Sequence, residues 1–140
     1  MIRAAALCTA LLLATSLLLP TALPLAGGAQ ADGERAAEDY VLHCSGCHRA
    51  DGRGTPGVVP SLRTLAPLLA RPGAREYLAR VPGVAQAPLD DARLAALLDW
   101  VLRELSGLRD APPYTAAELA SWRRTPLRDP KAARAALGAR

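Results

Sequence analysis

The chain has 140 residues, 51% of them hydrophobic and only 4% aromatic, with 17 basic and 13 acidic side chains and a formal charge of +4. That length accommodates one small domain, and no substrate domain is visible in it. The basic excess is mostly arginine spread along the chain, so nothing in it calls for a nucleic-acid partner.

Met1-Ile2-Arg3 opens the chain with a positive charge, and an Ala/Leu-rich stretch follows from Ala4 to Leu19. Pro20 and Pro24 then lead to Ala29-Gln30-Ala31, a small-x-small cleavage pattern. This order reads as a secretory signal peptide over residues 1–31, and hence as export to the periplasm. The alternative is a retained anchor, since Ala4 to Ala26 carries no charge and is long enough to span a bilayer; membrane association is expected only in that case. The two prolines and the cleavage pattern weigh against it. Cys8 reads as hydrophobic filler, too early in the apolar run for a lipid attachment site. Loss of Arg3 with the leader leaves 16 basic and 13 acidic groups, a balance of +3.

In the remaining chain, Ala37, Tyr40 and Val41 among polar neighbours predict a short amphipathic helix over Glu34–His43. It runs into Cys44-Ser45-Gly46-Cys47-His48. Gly52, Gly54, Pro56, Gly57 and Pro60 predict a loop from Asp51 to Pro60. Short helices are expected over Leu62–Leu69 and Ala74–Val81, divided by Arg71-Pro72-Gly73, and an irregular stretch containing Gln86 between Pro82 and Pro88. The strongest helical pattern follows Asp90, a candidate N-cap: Leu94, Leu97, Leu98, Val101, Leu102 and Leu105 recur at helical spacing up to a stop at Gly107. Beyond Pro112-Pro113 lies a basic, Ala-rich tail with helical candidates at Thr115–Arg124 and Pro130–Leu137, the first opened by a Thr115/Glu118 capping box. The tail is too poor in large apolar residues to form its own core. It is expected to lie against the main domain or to dock on an acidic partner through Trp122, Arg123, Arg124 and Arg128.

The chemistry is concentrated in Cys44-x-x-Cys47-His48. Two thiols at this spacing add to the two vinyl groups of a haem, and the adjacent imidazole is carried beneath the iron, so His48 is the expected metal ligand. A thioredoxin-like redox pair needs a βαβ setting that the pattern lacks. A structural zinc site needs a fourth ligand, and only His43 is left to supply one. A plain disulfide, the usual fate of paired cysteines after export, leaves the histidine unexplained.

With these residues in place the chain resembles a bacterial class I cytochrome c domain. The likeness rests on Tyr40, the Cys44–His48 motif, the glycines of Asp51-Gly52-Arg53-Gly54 and Gly57, Pro60-Ser61-Leu62, and Leu97-x-x-Trp100 in the final helix, and covers about Ala36 to Leu105. It implies an all-α domain wrapped around one covalent haem c over residues 32–108, with crossed first and last helices, and a helical extension over 109–140. It also implies that Trp100 packs on the first helix, and that the carbonyl of Pro60 accepts a hydrogen bond from the His48 nitrogen that does not bind iron. Such an acceptor orients a ligating imidazole and makes its other nitrogen more basic.

The departure from the family lies on the other face of the iron. Members usually present a methionine there from the segment before the last helix, but Val81–Leu89 contains none and Met1 is the only methionine in the chain. His43 is one residue from Cys44 and cannot reach round the macrocycle. Gln86 falls in the expected ligand segment; Tyr77, Lys131 and the mature N-terminal amine are further options, and Val84 and Ala85 make that face apolar. The leading expectation is an electron carrier, or a small subunit of an oxidoreductase, with a redox protein as partner. The alternative is a gas-binding or sensing haem protein. A peroxidase-like enzyme is not expected, because no acid/base group is evident over the iron.

Overall fold

The structure, a computed structural model, describes residues 27–138. The signal-peptide reading of residues 1–31 therefore lies almost wholly outside the described residues, as do Met1 and Cys8. Among the described residues the regular structure is helical, apart from one isolated bridge between Thr55 and Val59, and the expectation of an all-α chain holds. No described helix is long and apolar enough to cross a membrane.

Helix α1 (Gly27–His43) begins earlier than the expected Glu34. No proline falls between Pro24 and Pro56, and a single interior glycine such as Gly33 costs a helix only about 1 kcal/mol. Its inner stripe is Ala36, Asp39 and Tyr40, all buried, whereas Val41 and Leu42 stay exposed. One residue later α2 (Ser45–His48) forms a single turn.

Leu62–Leu69 is not one helix but a 3₁₀ turn (Leu62–Thr64) followed by α3 (Ala66–Leu69). Ser61 caps the turn through the Arg63 N–H, and Pro67 has no N–H with which to continue a ladder, so the helix restarts with proline in its first turn. Helix α4 (Ala74–Arg80) begins after Gly73, which has φ +79°. The stretch expected to be irregular begins with one helical turn, α5 (Pro82–Ala85), started by its proline.

Helix α6 (Asp91–Trp100) is capped as expected, Asp90 accepting from the Arg93 N–H at 2.8 Å. It widens over Val101–Leu105 into a π turn, with the Ser106 N–H donating to the Val101 carbonyl. The Ser106 hydroxyl lies 2.6 Å from the Leu62 carbonyl oxygen, which docks the 3₁₀ turn on the widened segment. Gly107, at φ +70°, ends the element. Helix α1 is fixed to α6 by polar and aromatic contacts. The Asp39 carboxylate, 1% exposed, meets the Arg93 guanidinium at 2.6 Å, and the Tyr40 and Trp100 rings stack at a tilt with centroids 5.3 Å apart.

Helices α7 (Ala116–Trp122) and α8 (Pro130–Ala136) form the tail, and the Thr115/Glu118 capping box is present in full. The tail lies against the rest of the chain and shares its core: Tyr114 and Leu119 are buried in the same cluster as Leu94 and Leu97. Arginines make the seam. Arg75 donates to the Pro112 and Pro113 carbonyls and lies 4.0 Å from the Tyr114 ring centroid, while the Leu127 N–H donates to the Arg80 carbonyl.

Candidate cofactor-attachment site

His48 closes α2, and its ring is oriented by the loop that follows. Its Nδ1 lies 3.0 Å from the Pro60 carbonyl oxygen. With Nδ1 donating, the lone pair of Nε2 is free to bind a metal. Burial pushes the His48 pKa below its ordinary value, with the Pro60 hydrogen bond opposing, a shift in the direction of the neutral imidazole that metals require.

Pro60 reaches this position because the loop doubles back. The Gly54 N–H donates to the His48 carbonyl, Thr55 pairs with Val59, and the Leu62 N–H donates to the Gly52 carbonyl at 2.7 Å. Gly54 has φ +65°, and a side chain there would collide with the carbonyl oxygens of Val59 and Pro60. Arg49, directly after His48, is the one non-glycine with positive φ among the described residues. The Tyr40 hydroxyl donates to its carbonyl at 2.6 Å and holds it there. Burial foremost, then the nearby Cys44 and Asp51, pushes the Tyr40 pKa up to about 12, so the phenol remains a donor.

Cys44 is half-buried and Cys47 exposed, and both thiols are free. Burial, with Asp39 adding to it, raises the Cys44 pKa, the opposite of the depressed thiol of a dithiol oxidoreductase. No three His, Cys, Asp or Glu side chains among the described residues gather as a metal cluster would require, which counts against the zinc reading.

Beside the motif lies an apolar cavity that encloses about 200 Å³ and opens to solvent. Cys44, His48, Pro60, Leu62 and Leu65 form one wall. Tyr77, Leu78, Val81, Val84 and Ala87, from α4 and α5 and just beyond, form another, and the floor comes from α6 and its π turn. Tyr114, Pro130 and Arg134 add the tail.

Of the residues singled out in the sequence, Cys44, His48 and Pro60 meet at this cavity, and Cys47 sits at the surface beside them. Trp100 does not line it but backs Tyr40. Gln86 is exposed and outside the lining, because the α5 turn directs Val84 and Ala87 inward instead. Ala85, expected on the apolar face, is buried but does not line the cavity. His43 is exposed and outside the lining as well. Sequence reasoning did not anticipate Tyr114, Pro130 or Arg134; the Pro130/Arg134 spacing of one helical turn was the only local hint.

Two free thiols, an imidazole whose Nε2 is uncommitted when Nδ1 donates to Pro60, and an apolar cavity thus adjoin one another. No protein-family model, curated protein or solved structure matches the chain.

Proposed function

We propose that the protein is an exported, monohaem c-type cytochrome of the class I kind that carries electrons, as a periplasmic carrier or a small subunit of an oxidoreductase. The observation that carries the reading is His48 Nδ1 at 3.0 Å from the Pro60 carbonyl, beside Cys44 and an apolar cavity. Cys44 and Cys47 would hold the haem covalently and His48 its iron; when bound, the haem supplies the one-electron chemistry. The residues fit the group in donor type and polarity. A haem is bulkier than the enclosed 200 Å³ and would extend through the opening of the cavity to solvent, and an exposed edge is what exchange with a redox partner needs. Helices α1 and α6, joined through Asp39–Arg93 and Tyr40–Trp100, supply the frame that the crossed first and last helices supply in such domains.

The test is expression with a cytochrome c maturation system, followed by haem staining after denaturing electrophoresis. Haem should stay with the wild-type chain and be lost on replacing Cys44 and Cys47 together by alanine. A folded wild-type chain without covalent haem overturns the reading. The reduction potential should lie below that of a methionine-ligated relative of similar burial, since Val81–Leu89 offers no sulfur.

One observation favours gas binding as a second reading: neither methionine nor a second histidine lines the cavity. Carbon monoxide binding by the ferrous protein would support it, and an unchanged spectrum would remove it.

A further inference from the structure

If a haem occupies the cavity, the question becomes which group of this chain meets whatever binds at the sixth position. The lining offers few polar atoms. Cys44 and His48 are committed to attachment under the reading above. The Tyr114 hydroxyl donates to the Arg75 carbonyl at 3.2 Å. Arg134 comes from α8 in the tail, whereas Gln86 faces solvent.

Tyr77 differs from all of these. Its ring is buried, 9% exposed, and it lines the cavity from α4. Its hydroxyl makes no hydrogen bond among the described residues, yet no described buried side-chain oxygen lacks a partner, so the hydroxyl faces open space. The ring is thus buried while the O–H stays accessible and unpaired with protein, which leaves it able to donate to an acceptor that enters the cavity.

The helix that carries it is also restrained. Arg75, two residues before Tyr77, binds the Pro112 and Pro113 carbonyls, and Arg80, three residues after, donates to the Thr125 carbonyl at 2.9 Å and to Glu76. Contacts with the tail thus restrain α4 on both sides of the tyrosine.

We infer that the Tyr77 hydroxyl is the hydrogen-bond donor for a small acceptor ligand at the iron's sixth position, a halide, hydroxide or diatomic molecule. The inference rests on the haem reading and assigns the distal role to tyrosine in place of the missing methionine. A phenol donating to an anion in a mostly apolar cavity strengthens binding, because a hydrogen bond is stronger at low local dielectric than in bulk water.

The experiment compares the wild-type holoprotein with Tyr77→Phe, which keeps the ring and removes only the hydroxyl; circular dichroism and thermal unfolding check the fold. Two probes are read: fluoride affinity of the ferric protein and the carbon monoxide stretching band of the ferrous protein. The substitution should weaken fluoride about tenfold, the equivalent of one hydrogen bond to a charged acceptor, and move the stretching band to higher frequency. Equal or tighter fluoride binding with an unmoved band overturns the inference. So does fluoride that binds only after the substitution, which would make Tyr77 itself the ligand, and so does a haem-loaded wild type that binds neither probe. Absence of covalent haem in a folded chain instead removes the reading on which the inference rests, so the two failures are separable.

Discussion

The wall of the cavity that carries Cys44 and His48, residues 44–62, is held mainly by backbone hydrogen bonds between near neighbours, whereas the wall formed by α4 and α5 is held by side-chain hydrogen bonds given to, and received from, a tail more than thirty residues away. In the first, each residue type has a stereochemical duty: Gly54 admits a carbonyl, Pro60 presents one, His48 donates to it. In the second, the surface is apolar apart from Tyr77, and its position depends on Arg75, Arg80 and Arg123. Arg123 alone donates to the Ala85, Ala87 and Leu89 carbonyls, at 3.1, 2.6 and 2.8 Å, and pairs with Asp91. The difference teaches that damage to the first wall should disturb the His48 site itself, whereas damage to the second should weaken folding and leave that site in place.

The sharpest way to break the comparison is Gly54→Ala. It forces a Cβ onto the Val59 and Pro60 carbonyls at positive φ, and should cost about 3 kcal/mol or more in denaturant unfolding while freeing the His48 ring. A loss under about 1 kcal/mol, the cost of a modest backbone adjustment, would show that the loop can yield. Next is Arg123→Ala, which strips three carbonyls of their donor and should cost about 2 kcal/mol by the same measurement. The His48–Pro60 contact should survive it, so haem attachment is expected to persist as folding weakens. Attachment lost at full stability would mean that the walls are not separable.

The smallest effect concerns Glu118, in the capping box of α7. Burial works to raise its carboxyl, but hydrogen bonds from Thr115 and the Arg75 charge prevail and hold it below the usual value of 4.5. The folded state therefore binds this proton less readily than the unfolded one. The resulting stability is complete above pH 4.5 and is lost as pH falls through the lowered folded value. Glu118→Gln should cost no more than about 1 kcal/mol at neutral pH, and the gap from wild type should close in acid. A gap that persists there would assign the effect to the shape of the box and not to its charge.

Much of this was legible where the signal is short in range. The Asp90 cap, the Thr115/Glu118 box, the Gly107 stop and the leucine stripe of α6 all depend on residues within a turn or two of one another, and the structure has them as read. The same holds for the adjacency of Cys44, Cys47 and His48. The Arg123 hub was not legible. Its partners are backbone carbonyls, which every residue possesses, so the sequence contains nothing to mark them, and the arginine read equally well as a docking charge. Gln86 was misplaced for a related reason: its segment was expected to be irregular, and the one turn of α5 set which residues face inward.

The sequence by itself determined the Cys44-x-x-Cys47-His48 spacing, the helical class and the absence of methionine from Val81–Leu89, because each is a matter of composition or of spacing along a few residues. Only the tertiary structure decided that the tail belongs to the core, that Trp100 stays out of the cavity lining, and that Tyr77, its hydroxyl unpaired among the described residues, lines that cavity. Those facts depend on which surfaces meet across long stretches of chain. Apolar burial drives such meetings without direction, and the particular arginine-to-carbonyl bonds that fix their register leave no pattern in the sequence.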